Sequence, residues 1–403
     1  MQAARIQELI KIYRDGLLQD TLPFWMNHCV DRECGGFMFC LGRDGRVIDT
    51  DKGVWHQGRF TWLLGELYNN VEPQREWLEL ARHGADFLTR HCLDPKDGRL
   101  WFHLTREGQP IRKRRYAFGE SFACIAYGEY AQAGGDEEAA ERARQAFQMF
   151  VQHHTIPGRM TPKFTATRPM KSIGLPMIGI VAAQELRESI RLDEANEFID
   201  RWIEEIRRDF MKPDIECVME TVAVDGAIID HFDGRTLNPG HAIEAAWFIM
   251  REGELRQDRV LVEMGCTILD WMWARGWDSE YGGMFYFRDV RGLPVQEYWH
   301  DMKFWWPHNE TIIATLYAHH LTGDPKYAEW HRAVHDWSYA HFPDPEHGEW
   351  FGYLHRDGRL SVDLKGNLFK GPFHLPRMQL VCWKILQSME KAGRSGVQGQ
   401  KGQ

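Results

Sequence analysis

The sequence of 403 residues is short of the features that mark several large protein classes. No apolar run approaches the roughly 20 residues that a membrane-spanning helix needs. The first residues, MQAARIQELIKIYRDGLL, lack the basic start and apolar stretch of a secretory signal and read as an amphipathic helix. Basic residues are the minority charge, 49 Lys and Arg against 58 Asp and Glu, and the net charge of −9 argues against a nucleic-acid surface. The eight cysteines include no CxxC pair, so neither a disulfide framework nor a zinc knuckle is indicated, and a reduced, cytoplasmic protein is expected. No GxxxxGK(S/T) phosphate loop, strand-linked GxGxxG or GxSxG serine elbow is present.

What is abundant is aromatic: 17 Trp, 22 Phe and 12 Tyr, laid over apolar spacings of three and four residues. That spacing predicts twelve helices, near 3–20, 56–70, 74–92, 117–133, 137–154, 173–190, 193–210, 240–253, 257–275, 306–322, 325–341 and 373–391. Their links alternate between short and long. Four long links, 31–48, 94–111, 278–295 and 345–360, share an acidic Gly turn, a short aromatic run and a second Gly turn, the pattern of a β-hairpin. The segment 222–235 is a looser fifth copy. Six units in 403 residues give about 67 residues each, close to the spacing of several of these links. The expected fold is therefore all-α, an (α/α)6 barrel of twelve helices with short hairpins in the long links. It forms one catalytic domain over 1–391, followed by a polar tail over 392–403 expected to be disordered. The competing arrangement is an irregular all-α globule.

Polar residues recur at the starts of the even-numbered helices: Arg59 in VWHQGRF, Glu120 in YAFGESF, His241 and Glu244 in NPGHAIEAAW, Glu310 in KFWWPHNE and His374 in GPFHLPR. If these are the inner helices, their N-termini converge on one cavity walled by Trp55, Phe118, Trp305, Trp306 and Phe373. Helix N-termini and an Arg favour an oxyanion, and a neutral His can take a proton and return it. Two His on opposite sides of one carbon suit inversion by proton transfer. Each residue also has an ordinary reading. A His that opens a helix is commonly a structural hydrogen-bonder, Trp305 and Trp306 can be core, and Arg59 can pair with Glu120. His308 is read as structural. The pairs His153–His154 and His319–His320 lack metal-ligand spacing and read as surface residues, so no metal site is expected.

NPGHAIEAAWF, KFWWPHNE and KGPFHLPR, in that order, resemble the N-acylglucosamine 2-epimerase family, with VWHQGRF and YAFGESF fitting earlier in the chain. The resemblance spans nearly the whole length and implies the (α/α)6 fold independently. It implies interconversion of N-acetyl-D-glucosamine and N-acetyl-D-mannosamine through an enediolate-like intermediate. His241 and His374 would be the proton-transfer pair, Arg59 would hold the carbonyl oxygen, and Glu310 would support proton movement or ring opening. Glu244 would orient His241, while Trp55, Trp305 and Trp306 would contact the sugar, with Phe118 and Glu120 counted among the substrate-binding residues. Relatives acting on free sugars tend to carry a His at the start of the sixth helix, where KSIGLPMIG has Met177. The resemblance brings no cofactor for the chemistry, ATP as an allosteric activator without a recognisable nucleotide loop here, and a homodimer. The rivals are a mannose isomerase or cellobiose 2-epimerase, a glycoside hydrolase using Glu244 and Glu310 as its carboxylate pair, and a non-catalytic protein-binding module.

Overall fold

Helix boundaries fall where the sequence supplies caps and stops. Asp136, Asn238 and Asp258 each accept a bond from a backbone N–H of the first turn that follows them, satisfying donors that a helix start leaves free. Gly135 and Gly323 close two helices in the left-handed region, with φ of +63° and +71°. The structure, a computed structural model, describes residues 1–400 and the side chains of 1–392. Its helices are α1 (Ala3–Asp15), α2 (Leu22–His28), α3 (Val54–Asn70), α4 (Arg75–Phe87), α5 (Phe118–Gly134), α6 (Glu137–Thr155), α7 (Gly174–Ile190), α8 (Ala195–Glu205), α9 (Phe232–Arg235), α10 (Pro239–Arg256), α11 (Arg259–Gly276), α12 (Trp305–Thr322), α13 (Pro325–His341) and α14 (His374–Gln400).

Six of these, α3, α5, α7, α10, α12 and α14, follow one another around an inner ring, and each is backed by one of α4, α6, α8, α11, α13 and α1. The burial pattern explains the division. α12 is buried continuously from Trp305 to His319, as befits a helix enclosed on all sides. α4 buries only the stripe Trp77, Leu80, Ala81, Gly84, Ala85 and Phe87 and turns its charges outward. α14 meets α3 through the Lys384–Glu66 ion pair and the edge contact of Phe373 with Trp62. This is the expected (α/α)6 barrel.

Three expectations change in detail. The first helix breaks at Asp15 into a wide π-type turn, Gly16–Thr21, and resumes as α2. Pro23 sits in the first turn of α2, where no N–H is needed. The 31–48, 94–111 and 345–360 links do form hairpins, pairing 40–41 with 47–49, 103–104 with 110–112, and 353–354 with 360–362. The 222–235 and 278–295 segments are not closed hairpins of that kind: 221–223 pairs with 170–172, and 288–289 with 236–237. Strands of two or three residues are too short to hold themselves together, so tertiary neighbours choose their partners. The expected tail at 392–403 overlaps the end of α14, and residues 401–403 lie outside the described ones.

The long links carry a second repeat, of charge. Asp31 accepts from Lys52 and from Arg106 of the next hairpin, each at 2.9 Å. Asp278 is gripped likewise by Lys303 at 3.0 Å and Arg356 at 2.8 Å. Asp344 is gripped by Lys365 at 3.0 Å and by Arg43 at 2.8 Å, which ties the last hairpin to the first. The three lysines and three aspartates are buried, and burial of such charges is tolerable only because each is paired. Gly108 and Gly358 turn these hairpins at φ of +86°, and a Cβ at either would lie 2.4 Å from the ring of His91 or His341.

Candidate active site

The inner helices start at one end of the barrel, and their first turns line a cavity of about 1350 Å³. Trp55, Arg59, Phe118, His241, Glu244, Trp305, Trp306, Phe373 and His374 all face it. The convergence expected from the sequence is thus present for most of the candidate residues.

His374 opens α14, and its Nδ1 lies 2.7 Å from Glu310 Oε1. A carboxylate only accepts, so Nδ1 carries the hydrogen and Nε2 keeps its lone pair. Glu310 is fully buried and also accepts from Trp247 Nε1 at 2.8 Å and from Arg377 Nη2 at 2.7 Å. Arg377 bonds Glu244 with the same nitrogen. Glu244, Glu310 and His374 could by spacing hold a cation, but Arg377 already supplies the positive charge between the two carboxylates. Burial, reinforced by Arg377 and Arg59, pushes the His374 pKa well below the usual imidazole value.

His241 is set up by different neighbours. Asn238 caps α10 by accepting from the His241 backbone N–H at 3.2 Å. The ring Nδ1 of His241 lies 3.0 Å from Glu220 Oε2, so it donates to that carboxylate and, in the neutral ring, again leaves Nε2 free. The side chain keeps 31% of its exposure, against 10% for His374. Burial alone would lower its pKa, but Glu220, helped by Glu244, raises it. The indole of Trp306 lies beside both imidazoles, 4.9 Å from His241 and 5.7 Å from His374 between ring centres.

Among the described residues, Arg59 has no carboxylate partner. Its guanidinium lies 4.1 Å from the ring centre of Phe122 and 4.6 Å from that of Phe373, and its Nε is buried without a hydrogen-bond partner. Burial and the nearby Arg377 lower its pKa to about 9, which still leaves it charged at neutral pH. An unpaired buried cation facing a cavity is costly unless something anionic comes to it.

Several expectations are corrected. Glu120 does not face the main cavity: it accepts from Leu100 N at 2.9 Å and Arg99 Nε at 3.3 Å, so it ties the second hairpin to α5. Arg59 therefore does not pair with it. Glu244 lines the cavity but is held by Arg377, not by the His241 ring. His153 and His319 are buried, and His154 is half-buried with Nε2 accepting from Ala117 N, so these three are not surface residues. His308 is structural as expected, accepting from Met284 N at 2.9 Å. Glu220, Asn238, Arg377 and Trp247 were absent from the candidate set. Asn238 directly before Pro239 is a readable cap signal, and Arg377 stands one turn after His374. Glu220, in a link between short strands, carries no local signal.

A model of the N-acylglucosamine 2-epimerase (GlcNAc 2-epimerase) family matches residues 35–371. The chain belongs to that family. The N-acylglucosamine 2-epimerase of Bos taurus is 35% identical over 397 residues, covering 95% of this chain and 93% of its own. That of Mus musculus is 34% identical, covering 95% and 94%. A solved cellobiose 2-epimerase from Bacillus thermoamylovorans B4167 superposes with a TM-score of 0.82 at 19% identity, over 94% of this chain and 99% of that one, and so shares the fold. Within this family of sugar epimerases, Met177 of the present chain is buried against the cavity at the start of α7.

Proposed function

We propose that the protein interconverts N-acetyl-D-glucosamine and N-acetyl-D-mannosamine by moving the proton at C2. The observation that carries this reading is the pair of imidazoles beside one indole, each with Nδ1 committed to a glutamate and Nε2 left free. One His removes the C2 proton, the electrons pass to the carbonyl oxygen, and Arg59 balances the charge that forms there. The other His returns a proton to the opposite face. Glu310 holds the His374 tautomer, while Trp55, Phe118, Trp305 and Trp306 offer flat walls to the sugar. The names of the mammalian relatives support the N-acetylated substrate, and Met177 in place of a His supports it over a free aldose.

A glycoside hydrolase would need one of its two carboxylates as a proton donor and the other as nucleophile or base. Glu244 and Glu310 instead both accept from one guanidinium nitrogen, which leaves neither as the proton donor. The chemistry proposed draws on no cofactor. A cytoplasmic location is supported by eight free thiols. A homodimer and activation by ATP rest on family likeness alone. Proton NMR of the protein with N-acetylglucosamine in D₂O, with and without ATP, tests the reading: N-acetylmannosamine deuterated at C2 is the expected product. No turnover of that sugar, with conversion of mannose or cellobiose instead, would replace it by the free-sugar activity. Light scattering reads the assembly state.

A further inference from the structure

Glu220 stands outside every motif, yet among the described residues it makes the only carboxylate hydrogen bond to the His241 ring. Its oxygens lie 3.0 and 3.2 Å from Nδ1, and its backbone is fixed because its carbonyl accepts from Ile173 N at 3.0 Å, at the start of α7. Ser172 Oγ approaches the carboxylate at 3.5 Å. The Asn238 amide nitrogen, 3.0 Å from the same Nδ1, is a donor only and so competes with Glu220 for that position, while the Asn238 oxygen accepts from the His241 backbone N–H. Among the described residues, Glu220 is the acceptor within reach of Nδ1, and its charge weighs against the neutral amide donor of Asn238.

We propose that Glu220 is the positioning residue of His241: it holds Nδ1–H in the neutral ring, turns Nε2 to the cavity, and stands as the counter-charge beside the imidazolium that delivers a proton from Nε2. This rests on the reading of His241 as one of the proton-transfer pair. In the step, the Nε2 proton passes to C2 and the imidazole becomes neutral, while Nδ1–H stays on nitrogen and Glu220 keeps its charge. The other charged groups facing His241 are Glu244, which adds to the effect, and Lys163 and His374, which oppose a second positive charge. Tyr286 faces Glu220 from the link before α12. Trp306 backs the ring without charge.

The test is Glu220→Gln, which keeps shape and removes charge. We expect kcat to fall by roughly 10–100-fold with KM little changed, as for loss of a group that orients a working imidazole. The alkaline flank of the pH–kcat profile moves to lower pH, since the imidazolium loses its counter-charge. Glu220→Asp, which keeps the charge, retains that flank whatever its kcat. ¹⁵N NMR of histidine-labelled protein, assigned against His241→Asn, should show Nδ1 protonated in the neutral wild-type ring and a mixed tautomer in E220Q. Unchanged kcat and flank in E220Q while His241→Asn is inactive overturns the role of Glu220 alone. An active His241→Asn overturns the reading on which it rests. If E220Q does not fold, the E220D profile decides, and a flank displaced in E220D counts against the proposal.

Discussion

His241 and His374 are built to one plan. Each opens an inner helix, each turns Nδ1 to a glutamate, and each lies beside Trp306. What surrounds the plan differs. His374 is buried between Arg377 and Arg59, which make a second positive charge expensive, so its neutral form is favoured. His241 is more open and has Glu220 with, among the described residues, no arginine against it, so its charged form is favoured. In the proposed reaction the same side chain would thus serve as the resting acceptor in one place and the resting donor in the other, through the charges around it and not through its own chemistry.

The strongest way to break this comparison is to remove one partner at a time. His374→Asn and His241→Asn should each lower kcat by about 10²–10⁴-fold, the usual contribution of a general acid or base. A variant that keeps wild-type turnover would show that its histidine is a bystander. Solvent deuterium exchange at C2, measured in the same variants, sharpens the point by reporting proton removal even where the product does not form.

A smaller effect is expected from Glu310→Gln. The His374 ring would keep its place through packing against Trp305 and Phe373, but lose the acceptor that holds its tautomer. Turnover should fall by roughly 10–100-fold, less than on loss of the ring itself. A loss as large as that of His374→Asn would mean that Glu310 touches the substrate directly.

The mildest test needs no mutation. As pH falls through the lowered pKa of His374, that ring gains a proton and stops accepting. As pH rises through the raised pKa of His241, the donor is lost. The profile of kcat/KM should be a broad plateau across neutral pH, wider than two ordinary imidazoles near 6.5 would give. The reverse direction needs the proton on the other ring, but in both directions the pair carries one Nε2 proton in total, so both should show the same plateau. A narrow bell centred near pH 6.5 would erase the difference between the two sites.

Much of this was legible in the sequence, for local reasons. Helix period, cap residues and Gly turns are written within a few residues of where they act, so twelve helical spans and the ring of inner N-termini could be read directly. His241, His374, Arg59 and Glu310 could be placed at one end because each stands at the start of an inner helix. What the sequence left open depends on contacts between distant segments. The 222–235 segment pairs with 170–172 because such short strands take whatever edge the fold presents. Glu120, Glu244 and Glu220 are chemically alike, and one ties a hairpin, one meets an arginine and one meets a histidine. Residue type and spacing determined that His241, His374 and Arg59 reach the mouth of the barrel, but not that Glu220 joins them or that Glu120 turns away. Only the tertiary structure decided which charge faces which ring, because a pKa is set by burial and by neighbours a few ångströms away that can be 21 or 64 positions away in the chain.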